Sequence, residues 1–340
     1  MRHINIPIFI PHLGCPNQCI FCNQKFISGK DSFDEFSIKD TINQVLATKK
    51  SEDCCEIAFF GGSFTGIDRD LMIRLLELAQ FYVDKGDVCG IRMSTRPDYI
   101  SREIVDILKK YTVTYVELGV QSMNDKVLAY LKRGHTVQDT ENAIRLLNEA
   151  GIPFIGQMMI GLPGSSVEDE LYTARRICEM GAVATRIYPT VVFKGTRLAD
   201  MTESGEYSML TIDEAVSRSK DVLAVFEENG VECIRIGLCA SDNLFDSEQV
   251  MGGANHPSLG ELVMGERCFD IMRSAADEAI GEAFCKDADT LCFRVPNGEL
   301  SKAVGQRGIN RKRLEEIYKP YKIEIKEAKV PKIVSYVEKR

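Results

Sequence analysis

Apolar residues recur along the first 230 or so positions with two alternating periods, and that alternation predicts the architecture. Short runs rich in β-branched and aromatic residues, at 4–10, 56–60, 90–94, 115–120, 154–160 and 185–189, read as strands, with a further one at 231–237. Between them, 37–48, 68–84, 101–110, 137–150 and 167–180 carry apolar residues at three- and four-residue steps, the stripe of a helix that covers a sheet. Ser101-Arg102-Glu103 and Thr211-Ile212-Asp213-Glu214 begin with a hydroxyl cap followed by acids, while Gly151 and Gly181 stand where helical patterns stop. Strands separated each time by a helical crossover pair in parallel. The pattern therefore predicts an α/β fold, a doubly wound sheet or a barrel, open or closed.

The pattern changes after 237. Residues 238–265 are rich in Gly, Asn, Asp and Ser and read as loop, 261–281 as helix, and 290–295 and 321–326 as strands. Residues 300–319 read as two helices around Gly305-Gln306-Arg307-Gly308. The expected division is an α/β body at 1–240, a connecting loop and helix at 241–283, and a small α+β domain at 284–340.

Composition narrows the class. With 340 residues, 44% hydrophobic and 27% charged, the chain suits one large and one small globular domain. No run approaches the roughly 18 apolar residues of a membrane helix, and the start, Met1 to Pro7, lacks a secretory pattern. Twelve cysteines, several isolated within helical or strand patterns, suit a reducing compartment, with cytoplasm expected and most of these thiols serving as small core residues. The net charge of −8 hides an asymmetry: residues 291–340 hold thirteen Lys and Arg against six acids, a net of +7 that leaves −15 elsewhere. A basic tail on an acidic body suggests a polyanionic partner.

The densest chemistry lies in Cys15-Pro16-Asn17-Gln18-Cys19-Ile20-Phe21-Cys22. Three thiolates in C-x-x-x-C-x-x-C spacing leave one iron of a cubane cluster open, whereas four would complete it. The other reading is a zinc knuckle with His12 as fourth ligand, although no second C-x-x-C follows. Polar or glycine residues also mark the ends of successive strands: Gly61-Gly62, then Ser94-Thr95-Arg96, then Gln121 with Arg133 twelve residues on, then Gln157. Chemistry collects at those ends in parallel barrels.

The Cys loop and the glycine pair together resemble the radical S-adenosylmethionine (SAM) superfamily. The resemblance implies a partial (β/α)6 TIM-like barrel and a [4Fe-4S] cluster held by Cys15, Cys19 and Cys22 as the catalytic centre. SAM would be bound by Phe21, Gly61, Gly62, Ser94, Gln121, Arg133 and Gln157, and reduced by a low-potential donor such as flavodoxin or ferredoxin. Gly119-Val120-Gln121, Arg133, Gly161-Leu162-Pro163, Arg186-Ile187-Tyr188-Pro189-Thr190 and Gly195-Thr196 with Leu198 are similar to the branch containing oxygen-independent coproporphyrinogen oxidase and the Elongator catalytic subunit, which modifies wobble uridines of tRNA. The likeness covers about residues 10 to 240 and omits the acetyltransferase half; Ser94 and Gln157 stand where acids are usual in the branch.

The tail, in turn, looks like the helix–GxxG–helix core of a KH domain, whose loop clamps a nucleic-acid backbone. This implies RNA contacts from Gly305, Gln306, Arg307, Gly308, Arg311, Lys312 and Arg313; as residues alone, the stretch also suits a helix connection with a solvated basic face. Cys239 and His256 are candidate hydrogen-atom donor and acid or base. The leading expectation is a radical SAM enzyme acting on RNA, most plausibly a tRNA base. The alternatives are radical chemistry on a small molecule, and a zinc-containing RNA-binding protein without catalysis.

Overall fold

Every strand of the main sheet lies beside its neighbour in chain order, which decides between the two architectures. The strands are β1 (His3–Phe9), β2 (Cys54–Phe60), β3 (Gly90–Thr95), β4 (Val113–Gln121), β5 (Phe154–Ile160), β6 (Ala184–Pro189) and β8 (Glu232–Ile236), parallel throughout in the order β1-β2-β3-β4-β5-β6-β8. A doubly wound sheet needs a reversal of strand order. Without one, right-handed crossovers put every covering helix on the same side, and the sheet curls into a partial barrel. The structure, a computed structural model, describes residues 3–10, 15, 19–23, 33–238, 248–281 and 289–339.

Helices α1 (Ile38–Leu46), α2 (Arg69–Asp84), α3 (Arg102–Leu108), α5 (Val137–Glu149) and α6 (Val167–Glu179) fill the crossovers, with a short α4 (Asp125–Tyr130) after β4 and α7 (Arg197–Glu203) after β6. Side-chain caps start them: Asp68 on Leu71 N, Ser101 on Ile104 N, and full capping boxes at Thr136/Asp139 and Ser166/Asp169. Each such cap stabilises by about 1 kcal/mol. Strand residues alternate between faces. On β4, Val116, Leu118 and Val120 are fully buried on one face, while Glu117, Gly119 and Gln121 lie on the other, the lumen side.

That lumen is charged. Glu56 and Glu117 are 2% and 1% exposed, and Arg92 reaches both, at 3.6 and 3.4 Å. Arg186 Nη2 donates to Glu117 Oε1 at 2.9 Å, His3 Nε2 lies 2.7 Å from Glu56 Oε2, and Arg92 Nη1 donates to Asn5 Oδ1. Carboxylates and guanidiniums alternate across strands, so each buried charge has an opposite one beside it.

Contacts divide the chain into two units, Met1–Thr211 with Val225–Asn255, and Ile212–Ala224 with His256–Arg340. In the second, α9 (Leu259–Gly281) packs Phe269, Met272 and Ala276 against Leu291, Phe293, Val295, Leu314 and Ile323. The sequence reading placed this helix in a connecting segment; its apolar face belongs to the core of the C-terminal sheet. That sheet has the order β11 (Lys322–Ala328), β10 (Thr290–Pro296), β12 (Val334–Glu338), with β10 parallel to β11 and antiparallel to β12. The crossover from β10 to β11 is the helix pair α10 (Leu300–Val304) and α11 (Ile309–Ile317).

Some elements differ from expectation. Part of the segment read as loop is a strand, β9 (Val250–Gly253), antiparallel to β7 (Val191–Phe193), and a helix, α8 (Ile212–Glu228), precedes β8 as expected. Two glycines let β9 lie close: a Cβ on Gly253 would fall 2.7 Å from Thr190 O. Cys54 and Cys89, read as core residues, are joined in a disulfide with Cα atoms 5.9 Å apart, because β2 and β3 begin side by side. Cys55, Cys268 and Cys292 are buried as expected. Among the described residues no helix is long and apolar enough to cross a membrane.

Candidate functional site

The thiol loop is fastened at its centre. Ile20 N donates to Leu131 O at 3.1 Å, just past α4, and Leu198 N donates to Ile20 O at 2.8 Å, in the first turn of α7. Gly195 (φ 72°) and the capping hydroxyl of Thr196 set up that turn, which gives Gly195-Thr196-Arg197-Leu198 a physical task. Phe21 packs against the buried cluster of Val192, Leu198 and Ala199. Cys22 N donates to Cys19 O at 3.0 Å, closing a tight turn between two of the three cysteines. Cys19 is 4% exposed, and Arg133 Nη1 lies 3.6 Å from its sulfur. Cys15 is hydrogen-bonded to Arg96. Residues 16–18, His12 and Cys239 lie outside the described residues.

Arg133 and Gln121 meet over a missing side chain. A Cβ on Gly119 would fall 2.6 Å from Arg133 Nη2 and 2.9 Å from Gln121 Nε2, so only glycine admits both groups here. Arg133 Nη2 donates to Gly119 O at 3.1 Å. The backbone is bent to achieve this: Gln121 has φ 64°, Lys132 φ 52° and Gly134 φ 82°. Positive φ at a non-glycine residue costs of order 1 kcal/mol or more and clusters at functional sites. Gln121 Oε1 is buried without a hydrogen-bond partner, an acceptor aimed where a donor would be welcome.

Beneath this pair sits His135, 3% exposed, with Nε2 3.3 Å from Val120 O. Burial, reinforced by the Arg133 and Arg96 guanidiniums, lowers its pKa to about 3. The unfolded chain takes up this proton more readily, so folding stability falls as pH drops below about 6.5, by up to ~1.4 kcal/mol per pH unit. His135→Gln should flatten the urea-unfolding midpoint between pH 6.5 and 4; an unchanged slope would show that other groups cause it.

The remaining expected residues line the same strand ends. Gly61 (φ 91°) follows β2 beside Ile10 and Phe9, with Gly62 next to it. Ser94 and Gln157 are half-buried, and Gln157 lies opposite Gly119 in register. Cys19, Gly119, Gln121 and Arg133 are thus in mutual contact or close to it, while Ser94 and Gln157 share the lumen face by register. His135 is not singled out from sequence as a site residue, and Arg96 appears there among the strand-end residues without a role. Arg96 is 2% exposed, bonded to Asp98 at 2.9 and 2.6 Å, and sits over the Tyr99 ring. Its acid two positions on was legible, but its burial was not.

Among the described residues no three His, Cys, Asp or Glu side chains form a metal-binding group, the sulfurs of Cys15, Cys19 and Cys22 included. Their surroundings nevertheless fit a thiolate-ligated anionic cluster with a zwitterionic ligand: Arg96 and Arg133 beside sulfurs, and an orphaned acceptor next to them. Gly119→Ala should push Arg133 and Gln121 away from these positions. SAM affinity should drop ~10-fold or more by calorimetry, with little change in melting temperature. Unaltered affinity would remove both side chains from the SAM site.

Comparison with known proteins places this arrangement. The Radical SAM superfamily profile matches residues 9–177 and the Radical_SAM C-terminal domain profile matches 183–267. An uncharacterized protein of Methanocaldococcus jannaschii, MJ0486, is 34% identical over 230 residues, covering 64% of this chain and 70% of that one. The chain belongs to the radical SAM superfamily. It is therefore an enzyme whose family implies an iron–sulfur cluster and SAM. The tRNA uridine(34) acetyltransferase of M. jannaschii is 32% identical over 174 residues, half of this chain and 31% of that one. Among solved structures, Elp3 of Methanocaldococcus infernus, with its N-terminus deleted, shares the fold at TM-score 0.62 and 24% identity over 80% of this chain and 63% of that one. Family membership overturns the zinc-protein reading without catalysis.

In the second unit, Gly305 (φ 74°), Arg307 (φ 54°) and Gly308 (φ 73°) shape the GxxG turn before α11. A Cβ on Gly305 would fall 2.9 Å from Asn310 Cγ, and Asn310, 2% exposed, donates to Gly265 O at 2.8 Å. Gln306, Arg307, Arg311 and Lys312 are exposed. Arg313 instead pairs with Glu266 at 2.6 and 3.0 Å and lies over Phe269. A groove of about 740 Å³ runs between Arg311 and Glu315 of α11 and Lys322–Lys326 of β11, the edge strand. His256 Nδ1 accepts from Ser258 N at 3.1 Å just before α9.

Proposed function

We propose that this enzyme modifies RNA, at a tRNA base, with Cys15, Cys19 and Cys22 holding a [4Fe-4S] cluster beside SAM. When bound, that pair supplies a carbon-centred radical from SAM after one electron arrives from a donor such as flavodoxin or ferredoxin. Arg133 offers a guanidinium to the SAM carboxylate, and the buried Oε1 of Gln121 accepts a hydrogen bond from an ammonium or hydroxyl group. Gly61 and Gly62 let backbone approach the ligand; Ser94 and Gln157, facing the lumen, bond its ribose hydroxyls, and Phe21 packs beside it.

The RNA part rests on one observation above others: half of this chain is 32% identical to a tRNA uridine acetyltransferase. The GxxG turn supports it. Its exposed Arg307 and Lys312 would meet phosphates, with Arg311, paired to Glu315, on the groove wall, whereas Arg313 is engaged by Glu266. Arg307→Ala with Lys312→Ala should weaken binding of an unmodified tRNA transcript about tenfold and flatten the slope of log K against log salt by ~1.4, two single-strand phosphate contacts. An unchanged slope would remove the turn from the interface. The decisive experiment is mass spectrometry of nucleosides in RNA from cells with and without the gene; identical profiles would shift the substrate to a small molecule.

A further inference from the structure

Two arginines stand directly opposite each other on neighbouring strands of the lumen. Arg186 and Tyr188 lie on the inner face of β6, and the parallel register of β8 sets Arg235 opposite Arg186, turning both side chains to the same face. Like charges directly opposite across a sheet repel. Arg186 is held by Glu117, but Glu117 is shared with Arg92, and Glu56 is shared between His3 and Arg92. Among the described residues no carboxylate pairs with Arg235. Among the described residues the guanidiniums of Arg92, Arg186 and Arg235 thus share this face with the carboxylates of Glu56 and Glu117. Arg186 Nη1 donates to the Tyr188 hydroxyl at 3.3 Å, and the Arg186 guanidinium stands 5.7 Å from the centre of the Phe60 ring. Burial pushes the Tyr188 phenol up despite both guanidiniums, which keeps its proton available for donation.

The geometry points to an oxyanion subsite in the lumen, made by Arg186, Tyr188 and Arg235, that receives a singly charged oxyanion of the substrate, a phosphate diester or a carboxylate. An anion there offsets the repulsion between the two cross-strand arginines and accepts charge-assisted bonds from both. The subsite rests on the reading that the lumen admits substrate, and it is independent of whether that substrate is RNA. These are binding and positioning residues; no bond is made or broken at them.

The test uses the full chain at low ionic strength, titrated with dimethyl phosphate and separately with acetate, and read by ligand-observed NMR. Wild type should bind one of them measurably, and the favoured anion identifies the source of the oxyanion; Arg235→Gln should weaken that binding at least tenfold. Equal affinity in the two proteins, or no binding by wild type, overturns the proposal. In anion-free buffer Arg235→Gln should melt at the same temperature or higher, since it removes a repulsion; a lower melting temperature would make Arg235 a structural partner and also overturns it. The Arg307→Ala with Lys312→Ala protein should keep full affinity for the small anion. If it loses it, the anion sits on the GxxG turn and the lumen subsite falls. Because neither anion is RNA, this result stands or falls apart from the nucleoside profiles.

Discussion

Cys19→Ser is expected to abolish reductive SAM cleavage in anaerobically reconstituted protein while leaving the barrel folded. Serine offers a harder and shorter ligand than thiolate, poorly matched to iron in a sulfide cluster. The position is also the most enclosed of the three: Cys19 is 4% exposed, with Arg133 3.6 Å from its sulfur. The bonds that fasten the loop run through the backbone of Ile20, so the substitution leaves them intact. Iron and sulfide should fall well below four per chain, and 5′-deoxyadenosine should drop to the reductant-only background. Circular dichroism and melting temperature should match the wild-type apoprotein. A serine variant that retains its cluster and cleaves SAM normally would remove Cys19 from the ligand set.

Glu117→Ala should produce the largest loss of stability, about 3–5 kcal/mol, because it removes a buried carboxylate that two guanidiniums share. Arg92 and Arg186 both rely on this carboxylate, at 3.4 and 2.9 Å, and its own exposure is 1%. The remaining carboxylate, Glu56, lies 3.6 Å from Arg92. Glu117→Gln should cost less, since an amide oxygen still accepts from Arg186 although the charge is gone. Urea unfolding of the two variants beside wild type measures the difference. A loss under 1 kcal/mol in the alanine variant would mean that water already solvates both guanidiniums.

The sheet was legible because each parallel strand carries its own apolar run and each crossover its own helical stripe. The loop at Cys15–Cys22 was legible because its ligand spacing is local. Pairing between distant segments was not: nothing in Val191–Phe193 or Val250–Gly253 names the other as partner, and the glycines of the second segment read as loop. The same holds for Cys54 and Cys89, brought together only by the register of β2 and β3. His135 escaped notice as a site residue for a different reason. A histidine two residues after Arg133 says nothing about depth, and depth is what holds it neutral beneath Gln121 and Arg133. The lumen charges were hidden likewise, since one Glu or Arg per strand looks like a solvated residue until neighbouring strands align them.

Ile20 is tied by its amide to Leu131 and by its carbonyl to Leu198, and neither tie passes through a cysteine. The peptide therefore keeps its bend whether or not iron is present. On the proposed reading that Cys15, Cys19 and Cys22 hold the cluster, loss of the metal would leave both Ile20 ties in place, and iron and sulfide could then be delivered again without unfolding the chain.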